Sequence, residues 1–302
     1  MIEPLAHPAV WKGDELSRHS DWSLPFQSAD PEMIRHRLEN GPGAILLRGF
    51  PVENHSKDSA RDVFQQWCDS LGHLLSQNEK GDTVFDVTDV GFGKDDPRTR
   101  GPNTNRKLSF HTDRCDVIAF LCWKQARTGG ENELVSSLQV YNEIARRRPD
   151  LLEVLSEPFV YKRHTVDLGN ELPYVEQPIF SFRDGQFACS FLRVLIDRAH
   201  ADPDLPSLSG QQIEALDFLE SVAGEPGMAF HFRQEPGDVL LLNNWVTLHR
   251  RSAFEDFDDP DEKRCLFRIW LSMPNSRPLD PRFAANFGAT GAGEIRGGFK
   301  TE

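Results

Sequence analysis

Short apolar runs of strand length, each bounded by turn residues, recur from Ala44 to Leu271 with no break in composition. A chain written this way must bury many short strands against one another. The runs fall at residues 44–50, 117–123, 133–135, 159–164, 179–183, 186–190, 228–232, 239–242 and 265–271, with a further one at 83–87. Arg183-Asp184-Gly185-Gln186 places Asp-Gly between two of them and reads as a hairpin turn. Helical spacing is expected at 31–39, 57–75, 138–147, 151–155 and 209–222. In 57–75 the positions Val63, Phe64, Trp67, Leu71 and Leu74-Leu75 predict one helix ending near Gly72 or shortly after. The expected class is mainly β with helical decoration (α+β). Residues 41–302 read as a single domain, with the polar, proline-broken residues 1–40 as an N-terminal extension packed on it.

Composition narrows the function. The 302 residues carry 34 Lys+Arg against 47 Asp+Glu, a net charge of −13. That excess argues against nucleic acid or an anionic membrane as partner, since both attract basic surfaces. No run approaches the roughly 18–20 apolar residues of a membrane helix. The first residues show no basic stretch leading into an apolar one, so no secretory signal is expected. Five cysteines with no CxxC pair predict neither a disulfide framework nor a zinc ribbon. The expected setting is cytoplasmic, with a small-molecule substrate and a homo-oligomer allowed. The acidic run 255–262 reads as a solvated loop.

Ten histidines make a metal site worth testing. In His111-Thr112-Asp113 an imidazole and a carboxylate stand two residues apart, on one side of an extended segment. A later histidine would complete a two-His, one-carboxylate set, which leaves three cis positions open and suits non-haem Fe(II) oxygenases. The spacing alone does not decide, because His19-Ser20-Asp21 and His200-Ala201-Asp202 share it. Only His111 has an apolar lead-in, Leu108 and Phe110, and a strand after it. Near the other end, Pro236-Gly237-Asp238 precedes an apolar strand, Asn243-Asn244-Trp245 and His249. Arg264 and Arg268 follow, on one face of a strand by period two. An inward-facing arginine needs an anionic partner, and a carboxylate held by its fork supplies one.

Phe110-His111-Thr112-Asp113, Thr128-Gly129-Gly130-Glu131-Asn132, Pro236-Gly237-Asp238, Asn243-Asn244, His249, Arg264 and Arg268 occur in one order. This pattern resembles the taurine dioxygenase family of clavaminate-synthase-like, Fe(II)/2-oxoglutarate-dependent oxygenases, over roughly residues 40–275. The resemblance implies a double-stranded β-helix (jelly-roll) core. It implies iron held by His111, Asp113 and His249, with 2-oxoglutarate and O2 as cosubstrates and no separate general acid or base. Arg264 would hold the distal carboxylate of 2-oxoglutarate. Asn132 stands where relatives use Thr or Ser, and its amide can donate to the same cosubstrate. The implied activity is oxidation of a C–H bond of an amino acid or related acid, with release of succinate and CO2. Hydroxylation is the default outcome; desaturation or cyclisation would use the same ligands. Substrate contacts are expected from Arg268, Arg193, Asn244, Arg100 and Asn105, with Arg98 and Asn103 nearby. Two other classes fit the ligands alone: a cupin-like metal isomerase or lyase, and a non-catalytic metal or 2-oxoglutarate binder. The isomerase or lyase would not need Arg264 or a 2-oxoglutarate site; the binder would have kept the ligands without the reaction.

Overall fold

A computed structural model of the chain describes residues 3–19, 22–91, 101–163 and 172–300. The largest sheet has seven strands in the order Ser23–Pro25, Ala44–Arg48, Val239–Asn243, Val117–Lys124, Cys265–Ser272 and His73–Leu75, with Val84–Val87 also paired to Cys265–Ser272. Its central strands alternate by residue. Val117, Ala119, Leu121, Val239 and Leu241 pack with helices Pro31–Asn40 and Lys57–Asp69 on one face. Ile118, Leu240, Leu242 and Trp270 point to the other. A three-stranded sheet, Phe230–Phe232, Asn132–Ser136 and Thr247–Arg251, covers that second face and contributes Leu134 and Phe230 to the shared core. A third layer packs helices Ser137–Arg147, Pro149–Leu155 and Gly210–Ala223 with strands Pro158–Lys162, Tyr174–Pro178, Phe180–Arg183 and Gln186–Cys189. Among the described residues, no helix is long and apolar enough to cross a membrane.

Most expected elements form where the sequence places them, for local reasons. Asp30 caps Pro31–Asn40 through the Met33 amide, and Ser209 with Gln212 makes a capping box for Gly210–Ala223. Asp184 and Gly185 take positive φ, 50° and 77°, as a tight hairpin requires. One expectation is corrected. The helix begun at Lys57 stops at Asp69, and His73–Leu75 is a strand instead. Leu74 and Leu75 pair with Leu271 and Trp270, so the ladder overrides a helical spacing that Leu71 and Leu74 would otherwise continue. Two elements carry no clear sequence signal: strand Tyr174–Pro178 and helix Arg193–His200.

The N-terminal residues are tied to the core. Trp11 and Leu16 lie between the sheets, Trp11 Nε1 donates to Pro42 O at 2.9 Å, and Ser23–Pro25 adds a parallel edge strand to Ala44–Arg48.

Candidate metal centre

His249 lies mid-strand in Thr247–Arg251, opposite Leu134. His111 forms a backbone bridge to it, each N–H donating to the other's carbonyl at 3.1 Å. Two histidines far apart in sequence thus face each other with ring centroids 4.4 Å apart. Asp113, two residues on, turns the same way. Asp113 Oδ2 lies 3.3 Å from His249 Nε2 and 4.0 Å from His111 Nε2. A metal at about 2.1 Å from each donor would put neighbouring donors about 3 Å apart, so the three fit one ion with little movement. They also form the one group with metal-ligand spacing among the described residues. The second shell supports this. His111 Nδ1 sits 2.9 Å from Ser109 O, which fixes Nε2 as the free donor. The Asp113 amide donates to Asn244 Oδ1 at 3.0 Å.

Electrostatics prepare the same group. Burial, and then His249 beside it, push His111 down to about 4, so its imidazole is neutral at pH 7. Burial alone would raise Asp113. The Arg268 cation and the two histidines outweigh it and hold the carboxyl well below the ordinary carboxylate range. Asp113 Oδ2 is nevertheless buried without a hydrogen bond. An anionic oxygen left this way calls for a cation.

The three residues open onto a cavity of about 700 Å³ between the two sheets. One wall is apolar: Phe85, Phe120, Leu240, Leu242, Leu266 and Trp270. Arginines outnumber carboxylates along the rest of its lining. Arg264 reaches it from just before Cys265–Ser272, beside a register shift in the pairing with Val117–Lys124. It is 2% exposed, and its Nε and Nη1 make no hydrogen bond. Burial lowers it to about 10, so it remains a cation at neutral pH. The short strand Thr128–Gly129 and the Gly130 that follows it make room for it. Both glycines have positive φ, and a Cβ on Gly130 would lie 3.2 Å from Arg264 Nε.

The remaining expected contacts divide. Asn132 lines the cavity, with its amide nitrogen 3.2 Å from Gln234 Oε1. Arg268 also lines it, but its Nη1 faces Asp113 Oδ1 at 3.5 Å. Asn244 is a correction: it is 1% exposed and off the cavity wall, with its Oδ1 accepting from the Asp113 amide and its Nδ2 donating to Cys115 Sγ. Arg193 is at the cavity rim, but Asp197, Asp217 and Glu220 surround its guanidinium at 2.8, 2.9 and 3.3 Å. Its expected role with a substrate anion is corrected to an ion-pair hub. Asn105 is corrected too, being exposed and off the cavity wall. Arg98 and Arg100 lie outside the described residues. Two cavity residues went unnoticed in the sequence. Arg251 shares the face of His249 by period two and stands opposite Asn132, a signal that was present. Gln77 had none.

Two facing sheets around a His, Asp, His cluster, with a buried arginine on the same cavity, are the features of the non-haem metal-site class. Residues 3–270 match the model of the taurine catabolism dioxygenase TauD, TfdA family. The chain belongs to that family. It is 34% identical over 248 residues to FR-33289 synthase of Streptomyces rubellomurinus, covering 80% of this chain and 72% of that one. It is 29% identical over 281 residues to the taurine hydroxylase-like protein SAT17 of Stachybotrys chartarum, covering 87% and 71%. Among solved structures, asparagine oxygenase with Fe(II), 2S,3S-3-hydroxyasparagine and succinate aligns with TM-score 0.60 at 18% identity, over 87% of this chain and 84% of that one. The non-haem iron oxygenase OrfP with Fe and alpha-ketoglutaric acid aligns with TM-score 0.57 at 15% identity, over 80% and 79%.

Proposed function

We propose that the protein is an Fe(II)/2-oxoglutarate-dependent dioxygenase that oxidises a C–H bond of a small acidic substrate, an amino acid or related acid. The observation that carries this is one cavity holding both an unpartnered ligand oxygen, Asp113 Oδ2 between two imidazoles, and a buried cation, Arg264, whose Nε and Nη1 make no hydrogen bond. In this reading the facing sheets are the jelly-roll core, and one domain spans the ligands at 111 and 249. His111, Asp113 and His249 hold the iron. Arg264 takes the distal carboxylate of 2-oxoglutarate, which supplies the acceptor that its Nε and Nη1 lack. Bound iron with 2-oxoglutarate and O2 supplies the oxidising power, and succinate and CO2 leave. The chain positions the substrate, and the apolar wall from Phe85 to Trp270 excludes water, so that oxidation meets one bond. No general acid or base is needed. An isomerase or lyase on the same metal would have no use for Arg264.

The arginine-rich lining supports an anionic substrate despite the chain's net −13, because the local field governs capture of a small anion. The neighbours carrying hydroxyasparagine and succinate, or iron and alpha-ketoglutaric acid, support the chemistry. A screen of amino acids, carboxylates, sulfonates and phosphonates should find substrate-dependent succinate release with at least one acid. Release with neutral or cationic compounds alone would contradict the substrate class.

A further inference from the structure

Gln77 follows strand His73–Leu75 and is 6% exposed. Its carboxamide is engaged at both ends. Oε1 accepts from Arg268 Nε at 2.7 Å, while Nε2 donates to the carbonyls of Arg268 and Thr83, each at 2.8 Å. One side chain therefore clasps both the guanidinium and the backbone of Arg268. The rings of Phe85 and Trp270 flank that guanidinium, with centroids 5.1 and 4.9 Å from Cζ. A planar fork fixed at Nε and packed between rings cannot swing freely. Its Nη1 is aimed at Asp113 Oδ1, 3.5 Å away. The two oxygens of one carboxylate thus have different surroundings. Oδ1 faces a cation; Oδ2 faces the two Nε2 atoms and accepts no hydrogen bond.

We infer that Gln77 and Arg268 are positioning residues that keep Asp113 a one-oxygen ligand, with Oδ1 held by the guanidinium and Oδ2 left for the metal. The inference rests on the iron reading above and deepens it. A carboxylate that chelated through both oxygens would occupy one of the three positions that a two-His, one-carboxylate set leaves open. Two-point binding of 2-oxoglutarate and access for O2 need all three. The pair thereby protects the working positions, and recognition of a substrate anion falls to cavity residues other than Arg268.

Co(II), added without oxygen, is the probe, because its visible absorption reports coordination number. Gln77→Leu keeps the Arg268 charge and removes its aim. The Co(II)-loaded variant should show an altered visible spectrum and a dissociation constant for 2-oxoglutarate raised about tenfold or more. Arg268→Lys keeps the charge and loses the fork, and should change the spectrum in the same direction. Wild-type spectra with unchanged 2-oxoglutarate binding in both variants overturn the inference. If Gln77→Leu does not fold, Arg268→Lys decides by the same two readings. Wild-type protein that binds neither Co(II) nor 2-oxoglutarate overturns the iron reading instead, so the two failures are separable.

Discussion

A buried charge reveals its purpose by what it lacks. Arg264 makes no side-chain hydrogen bond through Nε or Nη1 at 2% exposure, which is costly unless an anion completes it. Arg264→Met should therefore raise the 2-oxoglutarate requirement by about tenfold to a hundredfold, the worth of one or two charge-assisted hydrogen bonds. Metal binding should be retained, and titration of the iron-loaded variant measures both. His111 carries a pH prediction. Its folded value, near 4, lies below the free-histidine value of 6.5 because burial disfavours the charged ring. The unfolded chain then binds a proton that the metal-free fold refuses, so stability falls as pH drops from 6.5 toward 4. An NMR titration of His111 in metal-free protein should show a midpoint near 4, and one near 6.5 would contradict the burial argument. At this scale the sequence was informative where chemistry was local. His111 and Asp113 were marked by their spacing, and His249 and Arg264 by the order of motifs that carries the family resemblance. The role of Asn244 was hidden because it depends on Asp113 and Cys115, both 129 or more positions away. Arg193 was misread because two of its three carboxylates come from a different helix.

The elements convert sequence periods into a site. Period two on Cys265–Ser272 aims Arg268 and Trp270 into the cavity and sends Phe267 and Ile269 to the opposite core. The same period on Thr247–Arg251 puts His249 and Arg251 inside, while Arg250 turns outward to Glu133, with Nε and Oε2 2.8 Å apart. These faces were legible because alternation is a property of the strand alone. The strand at 73–75 was not, since Leu74 and Leu75 fit a helix until their ladder partners are known. The two glycines at the end of strand Thr128–Gly129 supply a test. Gly130→Ala adds a Cβ 3.1 Å from Gln125 Oε1 and 3.2 Å from Arg264 Nε, at φ +74°. It should cost about 1–2 kcal/mol in thermal or urea unfolding from the left-handed backbone alone. It should also weaken 2-oxoglutarate binding by displacing Arg264. Wild-type binding in the folded variant would show that the glycine serves the local backbone only.

Across the whole molecule, residues beyond the family match at 270 are built into the site. The Gly298 amide donates to Arg114 O at 2.8 Å, and Arg114 Nε donates to Asn286 O at 2.7 Å. Arg296 Nε meets Asp116 Oδ1 at 2.6 Å, with side chains 0% and 2% exposed. Asp116 also takes Trp245 Nε1 and the Met273 amide. The C-terminal segment thus clamps the turn that carries Asp113, while Asn286, Phe287 and Phe299 close part of the cavity wall. Arg296→Met leaves the Asp116 charge buried and should cost about 3–5 kcal/mol. Thermal unfolding checks this, and a loss near zero would mean the pair is not part of the folded core. None of this was visible in the sequence, because a lone arginine near a chain end carries no period and no motif. The acidity of the whole chain was equally uninformative about the cavity, where arginines prevail.

In the proposed function, one cavity binds iron through His111, Asp113 and His249 and 2-oxoglutarate through Arg264. An oxygen-free titration of the purified protein with Fe(II) and then 2-oxoglutarate tests it most directly. A visible metal-to-ligand charge-transfer band should appear, saturate at one iron and one 2-oxoglutarate per chain, and be absent in Asp113→Ala. A folded, iron-loaded protein that develops no such band, or an Asp113→Ala variant that retains it in full, would rule out this site.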